Sequence, residues 1–109
     1  MKKPIRDRAE VAIDFPEKYY YGSFDRDATL DVKADTHGVH IELDRRVGER
    51  RHVGFHIHFY LLAEIIEGLA SVLRKRDFMN QSQRDALERA VGKLDKALHP
   101  PARRKGSKD

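Results

Sequence analysis

The 109-residue sequence predicts an α+β fold, an antiparallel β-sheet of three to five strands followed by two α-helices packed on one face. Three observations predict it. Between Glu10 and Phe59 apolar residues recur with period two, the spacing of strands that bury one side. Beyond Phe59 they recur at helical spacing, and each segment has a single apolar side, which a two-layer arrangement buries most simply.

Val11, Ile13 and Phe15 alternate with Ala12 and Asp14 until Pro16 ends the run. Tyr19, Tyr20, Tyr21 and Phe24 form an aromatic segment that suits a pleated surface but has no clear facing. Leu30 and Val32 come next, then Val39, Ile41 and Leu43, then Phe55, Ile57 and Phe59, each set alternating with polar residues. Opposed residues of an antiparallel pair share a face, so apolar positions must meet apolar positions. The first hairpin should therefore pair Ala34 with Val39, Val32 with Ile41 and Leu30 with Leu43, around a loop of Asp35-Thr36-His37-Gly38. Asp first and Gly last suit a type I turn. The second hairpin is expected to pair Leu43 with Phe55, Ile41 with Ile57 and Val39 with Phe59. Its tip would be Gly48-Glu49-Arg50, with Gly48 able to take a positive φ.

In the first helix Leu62, Ile66, Leu69 and Leu73 make a stripe widened by Leu61, Ile65 and Val72, and Arg74-Lys75-Arg76 complements the dipole at its end. The second helix is expected to start at Ser82 as N-cap, with Asp85 as the capping-box acid, and to run to about Leu98 on a stripe of Leu87, Val91, Leu94 and Leu98. Pro100 and Pro101 stop it.

This reading gives one domain over residues 10–98 between two disordered basic tails, 1–9 and 99–109. Net charge is +4, but the basic residues concentrate in those ends and in residues 44–52, leaving the remainder acidic. There is no cysteine, which removes disulfides, thiolate metal sites and cysteine nucleophiles and fits a reducing compartment. No apolar run approaches a membrane span and no signal-peptide h-region follows Lys2 and Lys3, so a cytoplasmic location is expected.

Four groups carry candidate chemistry. Arg45, Arg46, Arg50 and Arg51 at the second hairpin tip could contact phosphates. Tyr19 and Tyr21, with Tyr20 and Phe24 beside them, could stack on unpaired bases, although rings of this kind more often serve as core or dimer contacts. Arg103 and Arg104, with Lys105 and Lys108, form a basic end. On the polar sheet face, the expected registers bring His40 beside His58 and Glu42 beside His56. No metal or other cofactor is expected, and His40, Glu42, His56 and His58 are the set that would hold a metal if there were one.

There is no Gly-rich phosphate loop, GxSxG, CxxC or HExxH, and the chain is expected not to be an enzyme. Over Val11 to Arg76, several curved strands followed by a helix resemble in layout the Whirly and Pur-alpha types of single-strand-binding domain, which implies a nucleic-acid role. The expected function is a non-enzymatic binding module, associated with nucleic acid through the basic hairpin tip and homodimeric. The alternative is a small protein-binding adaptor or inhibitor that docks its exposed sheet face on a partner protein.

Overall fold

The computed structural model describes residues 2–101. It has an α+β fold with two antiparallel sheets followed by two helices. The strands are β1 (Lys2–Pro4), β2 (Ala9–Asp14), β3 (Tyr19–Phe24), β4 (Ala28–Ala34), β5 (Gly38–Arg45) and β6 (Arg51–His58), and the helices are α1 (Phe59–Lys75) and α2 (Gln81–Leu98). One sheet has the order β1-β4-β5-β6, and β2 and β3 form a separate hairpin. No helix is long and apolar enough to cross a membrane.

The chain divides into two compact units, Met1–Leu69 and Ala70–Asp109, with the boundary inside α1. Lys2–Pro4, expected within a disordered tail, is instead an edge strand on β4, with Lys3 opposite Leu30. An edge position accommodates Pro4, which has no ladder N–H to donate.

The β4–β5 register matches the pairing expected from the apolar pattern, with Ala34 opposite Val39, Val32 opposite Ile41 and Leu30 opposite Leu43. The β5–β6 register differs by two residues. Ile41 lies opposite Phe55, Val39 opposite Ile57 and Leu43 opposite Val53. A slip of two keeps every side chain on its expected face, so the apolar pattern could not distinguish the two registers. Gly38 decides between them. It pairs with His58, and a Cβ there would collide with the Ile57 carbonyl oxygen, so only glycine permits so close an approach. The turn thus spans residues 46–50, and Gly48 has the expected positive φ, at 72°.

The core lies between the β2–β3 hairpin and one end of the apolar sheet face. Phe24, Ala28 and Leu43 are buried, with Ile5, Ala9, Val11, Leu30 and Val53 packed around them. Neither helix contains a buried residue. The hairpin closes the Leu30, Leu43 and Val53 end of the face, while Val32 and Phe55 at the other end remain 44% and 43% exposed. No residue separates β6 from α1, so the chain has no turn with which to fold α1 back onto its own strand.

The N-cap of α2 is Asn80, not Ser82. Its side chain accepts from the Gln83 backbone N–H at 2.8 Å, and Gln83 Oε1 accepts from the Asn80 N–H at 3.0 Å, completing a capping box. Asn caps as well as Ser, so the position of the glutamine decides the start. Asp85 instead accepts a hydrogen bond from the Gln81 side chain at 2.8 Å.

Candidate functional site

The hairpin tip places its four arginines unequally. Arg45 and Arg51 oppose each other at the ladder's end. Arg45 Nε donates to Asp27 Oδ2 at 3.0 Å and Arg46 Nε to Asp44 Oδ2 at 2.6 Å. Arg51 donates to the Ser23 carbonyl at 3.3 Å and lies 3.6 Å from Glu49 Oε1. Among the described residues Arg50 makes no ion pair. Asp44 is buried, and the hydrogen bond from Arg46 holds its carboxyl below the usual range, burial opposing that and the Arg46, Arg50 and His52 charges assisting it. Its Oδ1 is buried without a hydrogen bond, 3.7 Å from His52 Nδ1.

Between this tip and the β2–β3 hairpin runs an open groove of about 320 Å³, lined by Val11, Ile13, Tyr20, Tyr21, Arg50, Arg51 and His52 among others. Two of the sequence's candidate groups, the arginines and the tyrosines, therefore meet in one place. Tyr20 lies opposite Ile13 and shares the inward face of the hairpin with Val11 and Phe24. Its ring meets the edge of Phe15 at 6.2 Å between centroids. Tyr19 and Tyr21 share the other face, and Tyr19 does not line the groove. The sequence left the facing of the three consecutive tyrosines open, and the β2 register fixes it. Arg103 and Arg104 lie outside the described residues.

The second constellation lies on the polar face at the opposite end of β5 and β6. His40 lies opposite His56, not His58, and Glu42 lies opposite Gly54, so Glu42 drops out of the expected set. The slip of two residues is the reason. Asp35 takes the place of Glu42. Its Oδ1 accepts from the His37 and Gly38 backbone N–H groups at 2.8 and 2.9 Å. Its Oδ2 lies 3.0 Å from His40 Nε2 and 3.3 Å from His56 Nε2. The His37 and Gly38 amides, then His40, hold the Asp35 carboxyl well below the usual carboxylate range. The His40 and His56 rings are parallel with centroids 4.0 Å apart, and the His58 ring lies 4.9 Å from that of His56. The first N–H of α1, at Phe59, donates to the His37 carbonyl at 3.1 Å and ties the helix start to this turn. The signal for Asp35 was in the sequence, since a turn-initial Asp directs its carboxylate at the amides two and three residues on.

No family model, curated protein or solved structure matches the chain. The layout resemblance to single-strand-binding domains thus gains no counterpart among solved structures.

Proposed function

We propose that the chain is a non-enzymatic binding module that takes single-stranded nucleic acid in the groove between the β2–β3 hairpin and the β5–β6 tip. The observation that carries this reading is the meeting of Tyr20 and Tyr21 with Arg50 and Arg51 along that groove. Guanidinium groups hold phosphates, and tyrosine rings stack on bases of any sequence. Arg50, which makes no ion pair among the described residues, is the principal phosphate contact. The test is binding of a labelled single strand at low salt by the native chain and by Tyr20→Leu. Stacking on one tyrosine contributes about 1–3 kcal/mol, so the variant should bind roughly 5- to 150-fold more weakly. Undetectable binding by the native chain overturns the reading. A location in the cytoplasm, where nucleic acid and reduced chains occur together, accords with it.

One observation favours a second reading, an adaptor or inhibitor that docks on a partner protein. Arg45, Arg46 and Arg51 already face Asp27, Asp44 and Glu49, which weakens the field available to phosphates. Recovery of one stoichiometric protein partner that survives nuclease treatment would select it.

The module is proposed to be a homodimer. Val32 and Phe55 on the sheet, and Leu61, Ile65, Ile66 and Leu69 on the first turns of α1, are each between 43% and 51% exposed. Fully burying one such side chain is worth about 1.5–3 kcal/mol, and most of the stability of a helix in a protein comes from packing its amphipathic face. Because α1 follows β6 without a turn, α1 does not fold back onto its own strand. A second copy supplies both complements at once, helix stripe to sheet and sheet to helix stripe, as a two-fold interface requires.

A further inference from the structure

We propose that Asp35, His40 and His56 form a binding site for a divalent transition-metal ion, with zinc as the reference ion. The three residues offer ligand atoms that all lie within 4.8 Å of one another. Zinc takes imidazole nitrogen and carboxylate oxygen at about 2.0–2.2 Å in a tetrahedron, so two of its ligands stand roughly 3.3 Å apart. The separations of Asp35 Oδ2 from the two Nε2 atoms, 3.0 and 3.3 Å, are close to that span.

The orientation of the set is fixed independently of any metal. Asp35 Oδ1 is occupied by the His37 and Gly38 amides, which turns Oδ2 toward the histidines. Such outer hydrogen bonds are what hold a metal ligand in position. His40 and His56 come from directly opposed positions of β5 and β6, and a ladder fixes them more rigidly than a loop could. Their rings are stacked at 4.0 Å and 3°. Both Nε2 atoms face the same carboxylate oxygen, so the two imidazoles present their ligating edges to one point, where a cation can take the place of the Nε2–H···Oδ2 contacts. Asp35 and His40 are each 42% exposed at the side chain and His56 is 35% exposed, so an ion can enter from solvent. Three protein ligands leave a fourth position open, which water or a ligand atom from a partner could fill. The chemistry excludes a preference for magnesium or calcium, which favour oxygen-only sets.

This inference does not rest on the proposed function, because none of the three residues lines the groove. The experiment is zinc titration of the untagged full chain against a chromogenic chelator, with the thermal midpoint followed in parallel. One zinc per chain is expected, with a raised midpoint. His40→Ala, His56→Ala and Asp35→Asn should each weaken binding at least tenfold, while His99→Ala should leave it unchanged. Asp35→Asn retains an amide oxygen for the turn, so it remains informative if a histidine variant fails to fold. Absence of zinc binding by the native chain, or binding that survives both Asp35→Asn and His56→Ala, overturns the proposal.

Discussion

His40 and His56 face each other across β5 and β6 with parallel rings, and both Nε2 atoms converge on Asp35 Oδ2. That meeting depends on Gly38, whose backbone lies against Ile57 and His58. Gly38→Ala would push a methyl group into the Ile57 carbonyl, which cannot rotate away as a side chain could. Overpacking of this kind typically costs about 1–3 kcal/mol. The urea midpoint should fall accordingly, and the native His40–His56 contact should be lost from nuclear Overhauser spectra. An unchanged midpoint contradicts the assigned register.

Phe24 is the largest side chain in the core, at 3% exposure, and joins the β2–β3 hairpin to the sheet. Phe24→Ala should destabilise the protein by about 3–5 kcal/mol, within the usual range for emptying a buried aromatic site. Because the hairpin forms one wall of the groove, ligand binding should weaken in the same variant. Urea unfolding monitored by circular dichroism measures the first effect, and a loss below 1 kcal/mol would place the core elsewhere.

Much of the fold was legible in the chain, and the exceptions have physical causes. Period-two alternation placed β4, β5 and β6 and the β4–β5 register, since a wrong parity would have turned Val32 and Ile41 away from Leu30 and Leu43. It could not resolve the β5–β6 pairing, where an even slip leaves faces unchanged and only the steric demand at Gly38 decides. For that reason His56 was read beside Glu42, and Asp35 was read as a turn residue only. The groove was half legible. The residue types were visible, but the meeting of Tyr20 with Arg50 depends on the β2–β3 hairpin folding over the sheet, a long-range contact that no local pattern encodes. The amphipathic stripes of α1 and α2 were legible as stripes, but periodicity says that a face must be buried and not by what.

Asp44 sets an acid limit on stability. Its folded-state carboxyl lies below the unfolded value, chiefly through the Arg46 hydrogen bond. The contribution is therefore fully present above the unfolded carboxylate range and is lost as pH falls through the folded value. Thermal midpoints measured downward from neutral pH should decline below about pH 4, the ordinary Asp value. Asp44→Asn should flatten part of that decline. An identical profile in the variant would show that Asp44 contributes nothing to it.

Dimerisation should make stability depend on concentration, since dissociation and loss of the α1 stripe are linked. The thermal midpoint should rise with protein concentration, and sedimentation should give twice the chain mass. Ile66→Asp, which charges the exposed stripe, should yield a monomer of reduced stability. A native chain that sediments as a monomer at all concentrations contradicts the two-fold assembly.

The salt dependence of single-strand binding tests the groove most directly. Each phosphate contact on a single strand contributes a slope of about −0.7 in the logarithm of affinity against the logarithm of salt concentration. The native chain should bind with a clearly negative slope, and Arg50→Ala should bind more weakly with a slope shallower by about one contact. Affinity that does not change with salt, or an Arg50→Ala slope equal to the native one, would contradict the assignment of the groove to nucleic acid.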